Sequence, residues 1–158
     1  MKLIEKFQDK VVTSIAVFLF IVSCLWMLIE AISRQVFSIS YAISEEVIVF
    51  TLIWAIFLTL GQGGKEGNHI LVDLFTSRFG AKTKKITTII TNIIGMSYGA
   101  FLVYVGVAYI EHLFSTGITS HSPLRLPMGY VYFAVPIGML FFSFFYLHSL
   151  AKELYGKN

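Results

Sequence analysis

The sequence predicts an all-α integral membrane protein: four transmembrane helices, both termini cytoplasmic, and short interfacial amphipathic helices. Three observations carry this. Of 158 residues, 56% are hydrophobic and 13% charged, with a mean hydropathy of +0.77. A soluble domain carries about 25% charged residues. So much apolar surface needs lipid as its solvent. The apolar residues also collect into four runs, and basic residues collect on alternate connections between them. The reading is one domain, residues 1–158, with approximate spans 11–33, 44–62, 86–110 and 128–150.

Residues 1–10 place Leu3, Ile4 and Phe7 at helical spacing among lysines, which predicts a short interfacial helix. From Val11 to Ile29 the chain has 19 consecutive uncharged residues. At about 1.5 Å per residue that run crosses a hydrocarbon core of about 30 Å. The box Ile21-Val22-Ser23-Cys24 resembles a lipoprotein cleavage site. The apolar run continues past it to Ile29, so the segment reads as a retained helix and not a signal peptide. Glu30 and Arg34 follow one helical turn apart, an interfacial ion pair. Arg34 is also within reach of Glu45 or Glu46 if the first two helices form a hairpin.

The second span starts at Ser44, a favourable N-cap, with Glu45 and Glu46 suited to the positive end of the helix dipole. Its strictly apolar part, Val47 to Leu60, has 14 residues. It crosses only with the glutamates at one interface and Gly61-Gln62 at the other. Trp54 at mid-helix serves core packing or lipid contact, or donates its indole N–H between helices. Gly61, Gly63, Gly64 and Gly67 match no nucleotide-binding loop and follow a membrane helix, so they read as a bend at the membrane surface. Residues 68–79 put Leu71, Leu74 and Phe75 on one side, away from Asp73, the pattern of a helix lying in the interface.

Lys82, Lys84 and Lys85 abut the next apolar run, so they anchor the chain to lipid and do not bind nucleic acid. Ile86 to Ile110 is uncharged, and Gly95 and Gly99 form a small-xxx-small face for close helix packing. Glu111-His112 are expected to close that helix. A polar loop, 115–127, ends in Pro127. The last span then carries Pro136, which predicts a kink near Gly138.

Ten of the twelve basic residues lie on the two termini and the connection between helices 2 and 3, and only Arg34 and Arg125 lie opposite. The positive-inside rule therefore puts both ends in the cytoplasm. Chemistry is sparse. No acid or base sits deep in a span, where ion-coupled carriers and exporters place them. A single cysteine, Cys24, excludes an internal disulfide. The four histidines lie in loops or at helix ends, a poor arrangement for a cytochrome-b-like haem anchor. No cofactor, catalytic group or metal set is expected. A haem-bearing respiratory anchor and a self-assembling channel or exporter are the alternatives to a scaffold that serves a larger partner.

Arg34-Gln-Val-Phe, Ser44-Glu-Glu, the glycine region and His69-Ile-Leu-Val-Asp73 together resemble the small membrane (Q) subunit of tripartite ATP-independent periplasmic (TRAP) transporters. Thr119-Ser120, Leu126-Pro127 and Val135-Pro-Ile-Gly138 resemble it too, and Ile43 stands where that family often has Trp. The resemblance implies a heteromeric importer of the bacterial inner membrane. Its large subunit carries a small organic anion with sodium, and a periplasmic binding protein delivers that anion. It also implies that the small subunit is a scaffold without a substrate site. Glu30, Arg34, Glu45 and Glu46 are then expected as structural charges on the outer side. His69 and Asp73 are expected to fix the cytoplasmic hinge.

Overall fold

The computed structural model describes residues 11–39, 41, 43–60 and 81–155. The N-terminal interfacial helix, the glycine bend, His69, Asp73 and the amphipathic segment at 68–79 lie outside the described residues. Five helices make up the described chain: α1 (Thr13–Phe37), α2 (Ser44–Leu60), α3 (Ala81–Thr116), α4 (Met128–Tyr132) and α5 (Ala134–Tyr155).

Helix α1 stops where Ser38 enters the left-handed region, φ 55°, and its N–H and that of Ile39 both donate to the Ser33 carbonyl. That reversal uses up a carbonyl the helix end would otherwise leave unpaired. Helix α2 is apolar on nearly every side after its two glutamates. Its hydroxyls are satisfied within the helix: Thr51 Oγ1 donates to the Val47 carbonyl and Thr59 Oγ1 to that of Ala55, both at 2.7 Å. This is how hydroxyls survive in lipid, where water cannot pair with them.

Helix α3 is 36 residues long, about 54 Å at 1.5 Å per residue. It outruns the apolar stretch at both ends. Lys82, Lys84 and Lys85 lie in its first turns, and Glu111-His112 continue the helix where they were expected to close it. Lysine and glutamate are good helix formers, so the polar composition marks where the apolar run ends and not where the helix does. Gly117 at φ 65° terminates it, with Gly117 N–H donating to the Phe114 carbonyl and Ile118 N–H to Leu113. Only a residue without a Cβ adopts that conformation freely.

The final helical run is interrupted by one turn at Phe133, between α4 and α5, whose backbone stays right-handed. Pro136 has no N–H for the carbonyl one turn back, and its ring crowds that carbonyl, so the disruption falls on the N-terminal side of the proline.

The long helices stand in a row, α1 beside α2, α2 beside α5, and α5 beside α3. Glycines set the spacing. Along α3, Gly95 lies under the Tyr146 ring, Gly99 against Ser143, and Gly106 against Pro136, so α3 and α5 run antiparallel. Ser143 Oγ donates to the Met96 carbonyl at 3.1 Å across that seam. Gly138 of α5 rests on the backbone of Phe57 in α2. Val12, Ala16 and Leu58 form a small core, with Leu19, Trp54 and Phe141 packed around it. The core is thin because the helices turn most of their large apolar side chains outward. Lipid replaces an interior here, and small residues let helices approach one another. α1, α3 and the α4–α5 segment are long and apolar enough to cross a membrane. The described part of α2, 17 residues, is about 26 Å long.

Candidate functional site

The described acidic and basic side chains gather toward the ends of the helices. One end holds two linked clusters. In the first, Arg34 Nη2 donates to Glu45 Oε1 at 2.8 Å and to Glu30 Oε1 at 3.4 Å, joining the end of α1 to the start of α2. Glu30 is buried, at 6% exposure, and also accepts the Tyr41 backbone N–H at 3.2 Å. Arg34 is half exposed and Glu45 is largely exposed. The Glu45 carboxylate, followed by that of Glu30, raises the Arg34 guanidinium above its already high ordinary pKa. Local sequence explains the geometry. Glu30 and Arg34 share a face one turn apart, and the reversal at Ser38 brings Glu45 back to them.

The second cluster joins α2 to the α3–α4 connection. Glu46 Oε2 accepts the Ser122 hydroxyl at 2.6 Å, and Oε1 accepts the Ser122 backbone N–H at 2.9 Å. Glu46 lies in the polar first turn, ahead of the apolar run. The Ser122 hydroxyl is the main cause holding its carboxyl below the usual range, with Ser120, the Ser122 N–H and the His121 charge adding to it and desolvation opposing. The connection is itself stapled. Thr119 pairs with Pro127, Ser120 N–H donates to the Leu126 carbonyl at 2.9 Å, and Leu126 N–H donates to Ser120 Oγ at 3.1 Å. Arg125 sits at its tip with φ 44°. The structure thus puts Glu30, Arg34, Glu45, Glu46 and Pro127 at one end of the row.

Other residues singled out from the sequence fall into the packing. Trp54 is half-buried against the α1–α2 core, Gly95 and Gly99 carry the α3–α5 seam, and Pro136 fills the space that Gly106 leaves. The sequence reading missed Ser120 and Ser122, which act on Glu46 from far along the chain, Ser122 from 76 residues away. It also missed Tyr41, Ser23 and Asn92. The Asn92 amide and the Ser23 hydroxyl are buried without a hydrogen-bond partner. Among the described residues no three His, Cys, Asp or Glu side chains converge as a metal site. The arrangement braces helices against one another.

Such a site and fold define a helical, multi-pass membrane protein whose charges tie its elements together. The chain belongs to the DctQ family: the model described as "Tripartite ATP-independent periplasmic transporters, DctQ component" matches residues 23–156. This is a transporter-component family and not an enzyme family. The chain is 23% identical over 104 residues to a C4-dicarboxylate TRAP transporter small permease protein DctQ from Rhodobacter capsulatus. That match covers 66% of this chain and 45% of the relative, so the chain spans about half the length of that protein.

Proposed function

We propose that the chain is the small, non-transporting scaffold subunit of a TRAP importer in a bacterial inner membrane. In this reading α2 also crosses, giving four spans with both termini cytoplasmic and the Arg34–Glu46 end facing the periplasm. A large membrane subunit carries the substrate by sodium symport, and a periplasmic binding protein delivers it. The substrate is a small organic anion: a dicarboxylate, as the name of the relative suggests, a keto acid or a sugar acid such as sialic acid.

The observation that supports this most is where the charges lie. Residues 13–29, 47–60 and 86–110 of the described helices carry no ionisable acid or base apart from Cys24 and tyrosines. Carriers of ions and anions need charged or strongly polar groups near the midplane. Here the carboxylates are bound to Arg34, Ser122 and backbone at one end, where they brace helices. Membrane lipid covers the apolar faces that no subunit covers.

Co-expression tests the reading. The chain and the large subunit should co-purify, and sodium-driven uptake of the organic anion should require both. Full uptake by the large subunit without this chain would refute the assignment.

A further inference from the structure

A hollow of about 580 Å³ lies between the end of α1 and the start of α2. Arg34, Gln35 and Glu45 line it toward those helix ends, and Met27, Ala31 and Val49 line it further in. From Met27 to Arg34 is about 10 Å along the helix. Over that step the lining passes from apolar to charged. A bilayer makes the same passage over a short distance, from hydrocarbon into a headgroup layer of about 5–8 Å on each side.

At the polar end a cation and an anion stand side by side, and both keep capacity to bond. A guanidinium donates from all of its nitrogens, yet among the described residues Arg34 donates only from Nη2. Glu45 likewise accepts only on Oε1. Neither side chain is covered: Arg34 is 52% exposed and Glu45 70% exposed. The buried Glu30 carboxylate also lines the hollow and binds Arg34 and the Tyr41 N–H.

We infer that this hollow is the seat of one phospholipid of the ethanolamine type. Its phosphate takes the remaining donors of Arg34, and its primary ammonium donates to Glu45. The upper part of an acyl chain lies against Met27, Ala31 and Val49. Charge complementarity selects this occupant. Phosphate and guanidinium make charge-assisted bonds. An anionic headgroup would bring its charge against Glu45 with nothing to offset it, whereas the zwitterion brings a cation. A carboxylate needs an N–H donor, which a primary ammonium has and the quaternary nitrogen of a choline lipid lacks. A transmembrane helix of a partner would run on across about 30 Å, three times the length that Met27 to Arg34 offers. The inference needs only that this end of the hairpin meets lipid, and it stands apart from the transporter assignment.

The full chain is purified in detergent, freed of lipid and titrated with phosphatidylethanolamine, phosphatidylcholine or phosphatidylglycerol of the same acyl chains. Native mass spectrometry reads what is retained. The expected result is one tightly held ethanolamine lipid, with the other two held about tenfold more weakly. Glu45→Gln keeps an acceptor for Arg34 but loses the charge, and should abolish the preference for ethanolamine over choline. Val49→Trp fills the hollow from a position that is 50% exposed, and should remove the tightly held lipid. Glu111→Gln, at an exposed acid on α3, should change nothing. Equal retention of the three lipids by the unsubstituted chain would overturn the inference. So would an ethanolamine preference that survives Glu45→Gln or Val49→Trp.

Discussion

Glu46 in the first turn of α2 takes both the hydroxyl and the backbone N–H of Ser122, a residue 76 positions later in the chain. This one carboxylate ties the connection between α3 and α4 to the hairpin formed by α1 and α2. The tie adds to the direct packing of α2 on α4 and α5.

The tie sets a pH dependence. Glu46 is held below its ordinary value of 4.5 mainly by the Ser122 hydroxyl. A carboxyl with a depressed folded pKa contributes stability above its unfolded pKa and loses that contribution as pH falls through the folded one. The Ser122 amide proton signal should follow Glu46 with a midpoint below the ordinary carboxyl value. In Glu46→Gln the same signal should show no such transition.

The clasp at Arg34 predicts a graded response. Arg34→Ala leaves Glu30 buried without its guanidinium and releases Glu45. Complex yield and uptake should fall together. Arg34→Lys should rescue part of the loss, because one nitrogen, Nη2, meets both carboxylates and an ammonium on a shorter side chain can stand in for it incompletely. Normal uptake by a normally assembled Arg34→Ala complex would remove this residue from the account.

Glycine positions should separate by what surrounds them. A Cβ at Gly138 would run into the Phe57 backbone, which cannot move aside, whereas at Gly95 it would meet only the Tyr146 ring at 2.8 Å. Gly138→Ala should cost about 1–3 kcal/mol and Gly95→Ala less, read as thermal stability of the detergent-solubilised protein. Equal losses would mean that α5 can shift away from α2.

Asn92 is fully buried in α3 with both amide atoms unpaired. Keeping such a group from any partner costs about 1–3 kcal/mol. Asn92→Leu should therefore melt at the same temperature as the natural protein or a higher one. A clear loss of stability would show that the amide is paired in the membrane.

What the sequence made legible was local. The 19-residue uncharged run fixed α1, and the one-turn spacing of Glu30 and Arg34 put them on one face before any coordinates. Helix ends were less legible. Charge marks where a chain leaves lipid, but Lys82–Lys85 and Glu111 sit comfortably in helix, so α3 runs on at both ends. The turn at Phe133 was not anticipated, although proline disrupts the turn before it. The Glu46–Ser122 tie left no local trace, since two serines in a polar loop carry no periodic signal. Likewise Gly138 stood out only as a partner of Pro136, and its contact with Phe57 depends on how α5 lies against α2.

The central claim is that this chain supports transport without conducting it. Uptake of a labelled C4-dicarboxylate into sodium-loaded and sodium-free proteoliposomes containing only this chain tests it most directly. The account predicts uptake no greater than in empty liposomes, whichever way the sodium gradient points. Saturable uptake by the chain alone would contradict it.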